Sequence, residues 1–210
     1  MPKPRIQARR NVSSRNNNAS EQLGWTPLGE HHNPRMSRGP EVIDADGCVV
    51  TPQLVLEAYR QRCFPMADDR DGRLRWYRPQ IRAVITWDHW KIPDSLTKRL
   101  RQEPYTITFD RAFEQVVVGC AKRTTTWISR DIEILYSALY HTGNAHSVEA
   151  WSSAGDLVGG LYGLCIGGIF CGESMFHRAD DAAKICVVHL VNRLREHGYG
   201  VLDCQQQSPH

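Results

Sequence analysis

The side chains able to do chemistry are scattered, and several of them exclude a chemistry as soon as their spacing is considered. His146 and Glu149 are three apart, which could ligate a metal from one face of a helix. Their segment, Ala145 to Trp151, reads instead as a strand, and an odd separation in a strand sends the two side chains to opposite faces. No metal site is expected. The run from Gly159 to Gly168 holds five glycines in ten residues but neither Gly-Lys-Ser/Thr nor a following helix, so it is not a phosphate loop. Glycines in successive strands more often permit close approach by another backbone or a ligand. The seven cysteines are odd in number and never spaced Cys-x-x-Cys, which fits reduced thiols in a reducing compartment. Cys171 and Cys204 lack a plausible histidine partner in sequence and are expected to be buried structural thiols rather than nucleophiles.

The formal charge of +3 over 210 residues conceals a gradient. Residues 1–40 carry seven Lys/Arg against two Asp/Glu, residues 60–130 carry 15 against eight, and residues 131–210 carry four against nine. Such a division suits a protein that holds a polyanion with one part and something cationic with another. Residues 1–40, rich in Arg, Asn and Ser and without apolar periodicity, read as a disordered basic tail. No apolar run approaches the roughly 20 residues needed to cross a bilayer, and a cytoplasmic protein is expected.

The elements that must position any site follow from caps and periodicity. Thr51 and Pro52 open a helix expected to run to Cys63, before Phe64-Pro65 stops it. A strand over Arg82–Trp87 precedes a short basic helix begun at Pro93-Asp94-Ser95, and Tyr105–Phe109 is a second strand. Asp110 is expected to cap a helix over Arg111–Ala121, and Ser129 to cap another ending near Gly143. Ala145–Trp151, Leu157–Leu164 and Gly168–Ser174 then form an antiparallel meander, followed by the longest helix, ended at Gly198, and a strand over Val201–Cys204. This α+β order is of the kind used by N-acyltransferase folds.

Several separate strings now coincide: Ala58-Tyr59-Arg60 with Cys63-Phe64-Pro65-Met66, Phe109-Asp110-Arg111-Ala112-Phe113, Thr126-Trp127-Ile128, and Ala145-His146-Ser147-Val148-Glu149. Leu157 to Gly163, Gly172-Glu173-Ser174-Met175-Phe176 and Leu202-Asp203-Cys204-Gln205 complete the series. In order and spacing, across residues 50–210, the chain resembles the bacterial leucyl/phenylalanyl-tRNA–protein transferases. The resemblance implies a GNAT-like catalytic part over residues 131–210 and a tRNA-contacting part over residues 41–130. It implies transfer of Leu or Phe from leucyl-tRNA or phenylalanyl-tRNA to an N-terminal Arg or Lys of a protein, marking it for N-degron degradation, with no cofactor. A tRNA-binding or N-terminal-residue-binding protein of the same ancestry is the alternative. An N-acetyltransferase is disfavoured by the missing pyrophosphate loop.

The same resemblance implies roles for particular residues. Asp203 and Gln205 become the catalytic pair, expected on one side of an extended segment. Glu173 holds the aminoacyl-adenosine end, with Trp76, Tyr77 and Trp127 stacking on the adenosine and Leu161, Phe170, Met175 and Leu202 lining the donor side-chain cavity. Lys98, Arg99 and Arg101 contact tRNA phosphates. Trp76-Tyr77-Arg78-Pro79-Gln80-Ile81-Arg82 departs from the family's Trp-x-Ser-Pro-Asp-Pro-Arg. The family also continues past the position of His210 with a further strand, so an apparently short C-terminal part and an unpaired edge beside Val201–Cys204 are expected.

Overall fold

A computed structural model describes residues 42–205; the expected basic tail lies outside the described residues. A two-stranded hairpin, β1 (Val42–Ile43) and β2 (Val49–Val50), leads into α1 (Pro52–Arg60). Thr51 caps this helix, its hydroxyl accepting from Leu54 N–H at 3.2 Å, and Pro52 occupies the first turn, where its missing N–H costs nothing. The helix ends at Arg60, earlier than expected, because Arg62 turns left-handed (φ 64°) and Phe64 opens a strand. That strand, β3 (Phe64–Ala67), pairs with β4 (Leu74–Tyr77). Phe64-Pro65 thus begins an element as well as stopping one.

The main sheet has the order β5-β10-β9-β8-β7-β6. Its strands are β5 (Val84–Thr86), β6 (Thr106–Phe109), β7 (Ala145–Trp151), β8 (Leu157–Ile166), β9 (Ile169–His177) and β10 (Val201–Asp203). Only the β9–β10 pair is parallel. The unpaired edge expected beside the last strand is not found: β5 pairs antiparallel along β10, with Val84 opposite Asp203. The short β5 covers that edge, and the chain before it continues the ladder, Ala83 N–H donating to the Gln205 carbonyl at 2.9 Å.

Helices cover both faces. On one, α1 packs with α3 (Phe113–Ala121) and α4 (Arg130–His141) over Ala145, Tyr162, Leu164 and Cys171. On the other, α5 (Ala182–Glu196) covers Val148, Ala150, Leu161, Phe170 and Leu202, and α2 (Asp94–Leu100) rests on α5 through Leu96 against Ile185 and Val188. Strand alternation divides the two cores: Leu161 faces α5 while Tyr162 faces α3 and α4. The glycine run serves this packing. A Cβ on Gly159 would lie 2.6 Å from Ala182 of α5, and one on Gly160 2.9 Å from Val116 of α3. Ser129 caps α4 as expected, its hydroxyl accepting from Ile132 N–H. Asp110 does not cap α3: it is buried in the left-handed region (φ 57°), its carboxylate turned to β7.

Candidate active site

Tyrosines from three elements converge on one face of the sheet. In α1 the buried stripe Val55, Leu56, Tyr59 brings the Tyr59 phenol inward, and in α4 the stripe Ile132, Leu135, Tyr136, Leu139 does the same for Tyr136. The two hydroxyls lie 2.6 Å apart, and Tyr136 stands edge-on to Tyr162 of β8 with ring centres 5.4 Å apart. Tyr136 also donates to Glu173 Oε2 at 3.0 Å.

Glu173 reaches this cluster through a break in the strand ladder. Gly163 pairs with Gly172 and Tyr162 with Ser174, so one step along β8 is matched by two along β9 and Glu173 is the extra residue. Such a bulge bends the strand and re-aims the side chain it carries. Burial pushes the Glu173 carboxyl up to about 7, while hydrogen bonding from Tyr59, Gln205 and Tyr136 and the charge of Arg82 restrain the rise.

The last strand delivers the remaining groups. Asp203 faces the same side of the sheet as its neighbour Cys171. Its Oδ2 accepts from Arg82 Nε at 2.8 Å, and its Oδ1 accepts from the Gln205 N–H at 2.7 Å. Gln205 lies beyond the end of β10, left-handed at φ 61°, so it joins Asp203 by this turn and not by the strand alternation expected from their spacing. Its carboxamide stands beside Glu173, close enough to favour the ionised carboxylate but outside good hydrogen-bond geometry. Among the described residues, Glu173 Oε1, Gln205 Nε2, Tyr162 Oη and Arg82 Nη1 are buried and unpartnered. An unmet buried polar atom costs about 1–3 kcal/mol, so four on one face make this the candidate site.

Beside this cluster the Arg82 guanidinium lies 5.6 Å over the Phe64 ring. Phe64, Met66, Tyr77 and residues 78–81 line a cleft of about 480 Å³. Tyr77 is the expected adenosine-stacking residue that reaches it. Trp76 is half-buried, its indole N–H donating to Asp44 Oδ2 at 3.2 Å, and Trp127 packs against the same core as α1 and α4. Leu161, Phe170 and Leu202 are not brought to the face of Glu173 and Asp203: alternation places them in the α5 core. Met175 is exposed beside Lys122 and Arg123, its carbonyl accepting from the Arg123 guanidinium. Lys98 and Arg101 are exposed at α2, whereas Arg99 bonds Gln102 Oε1 at 3.0 Å and lies over the Tyr105 ring. Burial, with the Glu173 and Asp203 charges, raises the Cys171 thiol, which suits a structural thiol. Cys204 is exposed rather than buried, because it follows Asp203 on the opposite side of the chain.

Arg82, Tyr59, Tyr136 and Tyr162 were not singled out by sequence reasoning. Tyr59 and Tyr162 lie within the recurring strings and Arg82 ends the Trp76–Arg82 string, but nothing local to Arg82 announces a partner 121 residues away.

The protein is α+β, its mainly antiparallel sheet gathers two carboxylates, a carboxamide and unpartnered donors on one face, and no metal-ligating cluster occurs among the described residues. Known proteins give that class a family. The family model described as leucyl/phenylalanyl-tRNA protein transferase matches residues 84–210, and the model of that family's N-terminal domain matches residues 50–80. The chain is 50% identical over 161 residues to the leucyl/phenylalanyl-tRNA–protein transferase of Rubrobacter xylanophilus, covering 77% of this chain and 84% of that one. It is 47% identical to that of Gloeobacter violaceus (77% and 83% covered) and 45% identical to that of Salinibacter ruber (77% and 71%). The chain belongs to the leucyl/phenylalanyl-tRNA protein transferase family. A solved structure, L-PGS from Bacillus licheniformis, overlaps 61% of this chain and 46% of that one at 17% identity and TM-score 0.43, too slight a likeness to define the fold. No helix among the described residues is long and apolar enough to cross a membrane.

Proposed function

We propose that this chain is a cytoplasmic aminoacyltransferase that takes Leu or Phe from leucyl-tRNA or phenylalanyl-tRNA and joins it to the N-terminal Arg or Lys of an acceptor protein, forming a peptide bond that marks the product for N-degron degradation. The catalytic part, residues 131–210, is GNAT-like, and residues 41–130 supply tRNA contacts. No cofactor is needed, because the donor is already an ester. The observation that carries this reading is the convergence of Asp203, Gln205 and Glu173 on one buried face with polar atoms left open.

The acceptor's α-amine has an ordinary pKa of about 7.7–8.0, so a useful fraction is neutral near pH 7 and a strong base is unnecessary. Placing amine and ester together can supply roughly 7–11 kcal/mol of the barrier reduction. Asp203 draws the acceptor's ammonium and fixes the turn that presents Gln205, whose carboxamide positions the amine and relays its proton. Glu173 takes the donor's α-amine or a ribose hydroxyl on Oε1. The aminoacyl-adenosine end enters by the cleft at Phe64 and Tyr77, where stacking on an aromatic ring contributes on the order of 1–3 kcal/mol.

Incubating the protein with radiolabelled leucyl-tRNA and a peptide beginning with Arg tests the reading. Label in the peptide is the expected result. Retention of leucyl-tRNA without transfer identifies a binding protein instead, and absence of transfer with or without retention overturns the enzyme reading.

A further inference from the structure

We propose that Arg82 is a catalytic residue of this transfer, its Nη1 donating to the ester carbonyl oxygen as that oxygen becomes the alkoxide of the tetrahedral intermediate. The inference rests on the aminoacyl-transfer reading above.

A guanidinium carries five N–H donors in a fixed plane and stays charged at every accessible pH. Arg82 uses Nε on Asp203 Oδ2 at 2.8 Å, and the Phe64 ring lies 5.6 Å from its Cζ, so the fork has one orientation. The side chain is 16% exposed. Nη1 is fully buried and has no acceptor among the described residues, although two carboxylates are close: Asp203 is bonded to Nε, and the Arg82 charge is felt at Glu173. A charged donor left unmet is costly, so Nη1 is open to an acceptor atom from outside the protein.

The reaction supplies one such atom. The substrate groups that must come within reach of Asp203 and Gln205 are the incoming amine and the ester. The amine is a donor until it attacks. As its nitrogen forms the C–N bond, the carbonyl π pair moves onto oxygen, and the new alkoxide is the acceptor that grows strongest in the transition state. Collapse re-forms C=O and breaks the bond from carbon to the ribose oxygen, which leaves with the proton lost by the amine nitrogen. Charge and electrons balance without any further reactant. Asp203 gains a second task, holding Arg82 by Nε so that Nη1 is already aimed before charge develops.

The test compares the wild-type protein with Arg82→Ala and Arg82→Lys, using leucyl-tRNA and an Arg-initiated peptide for kcat and leucyl-tRNA alone for Kd. In Arg82→Ala, kcat is expected to fall about 10²–10³-fold, the loss typical of one oxyanion donor, while Kd changes by less than about threefold. Added methylguanidine should restore kcat at least about tenfold, a readout that a merely structural role would not move. Loss of kcat and affinity in parallel, or no rescue, overturns the inference. If the alanine variant does not fold, Arg82→Lys decides: a wild-type kcat overturns the proposal, and a loss of more than about tenfold at unchanged Kd supports it, because an ammonium cannot span Asp203 and the ester together. A wild-type protein that transfers nothing would overturn the aminoacyl-transfer reading and this inference with it, whereas wild-type transfer with an unaffected Arg82→Ala overturns this inference alone.

Discussion

The main sheet carries two buried carboxylate clusters, and they are finished differently. Around Asp110 and Glu149 every carboxylate oxygen has a partner: Asp110 Oδ1 accepts from Ser147 N–H at 2.8 Å and Oδ2 meets His146 Nδ1 at 2.9 Å. Glu149 accepts from the Ser147 and Thr108 hydroxyls and from the amides of Arg111 and Ala112. Around Glu173 and Asp203 four buried polar atoms on the same face are left open. A closed polar network stiffens a fold, whereas an open one bears a standing cost that only a ligand relieves. The first cluster ties the β6–α3 turn to β7; the second is the one we propose receives the substrate.

The comparison predicts opposite failures, the larger in the closed cluster. Burial disfavours the charged His146 ring, but the hydrogen bonds to Asp110 and the nearby Cys165 outweigh it and hold the ring up to about 9. Asp110→Ala breaks a buried pair, leaves the Ser147 N–H without its acceptor and returns the His146 ring to the neutral form that burial favours, and should cost about 3–5 kcal/mol of stability. Transfer per folded molecule should stay near wild type. The sign of the pH effect follows from a raised folded pKa: the pair's contribution is complete below about 6.5, the ordinary histidine value, and is lost as pH rises through about 9. Chemical denaturation at pH 6 and pH 9 measures both effects, and a variant as stable as the parent at pH 6 breaks the contrast.

In the open cluster the loss should fall on turnover. Glu173→Gln keeps the shape and an acceptor for Tyr136 but removes the charge offered to the donor, so transfer should drop about 100-fold, roughly 2.7 kcal/mol. Stability at pH 7 should change by less than about 1 kcal/mol. Because burial raises this carboxyl from 4.5 to about 7, the folded chain binds more protons than the unfolded one between those values. Wild-type stability therefore declines as pH climbs from 4.5 to 7, while activity, which needs the carboxylate, climbs through pH 7. Glu173→Gln should flatten both slopes. A variant that melts early yet turns over normally would reverse the assignment of the two clusters.

The elements were legible where the cause is local, and the site was legible only in part. Thr51-Pro52, Ser129 and the meander carry their own signals, in a cap, a first-turn proline and period-two alternation. Asp110 looked like a cap because a short acidic residue before an apolar stripe usually is one; burial beside His146, 36 residues on, overrode that preference. The Glu173 bulge leaves no trace in Gly172-Glu173-Ser174, since it exists only in the pairing with β8. Leu161, Phe170 and Leu202 resemble donor-pocket positions, yet period-two alternation alone sets Phe170, three residues before Glu173, and Leu202, next to Asp203, on the opposite face in the α5 core. Arg82 matches the Arg that ends the family's Trp-x-Ser-Pro-Asp-Pro-Arg string, but its partner Asp203 could not be read without the β5–β10 pairing.

The smallest effect belongs to the basic helix, which tests whether the tRNA is held apart from the site that consumes its ester. Because α2 rests on α5, Lys98, Arg99 and Arg101 stand on the side of the sheet away from Glu173 and Asp203. Replacing all three by Ala should weaken leucyl-tRNA binding several-fold at low salt and leave kcat at saturating donor unchanged. Each phosphate contact contributes about 0.7–0.9 to the slope of log affinity against log salt, so losing two contacts should make the variant's slope shallower by about 1.4–1.8. Two contacts are expected rather than three because the Arg99 guanidinium is already engaged by Gln102 and Tyr105, while Lys98 and Arg101 are exposed. Arg99→Ala alone should then barely alter the slope. A full unit lost on that single replacement would show that tRNA draws Arg99 from its intramolecular partners, and an unaltered slope in the triple variant would remove α2 from the tRNA path.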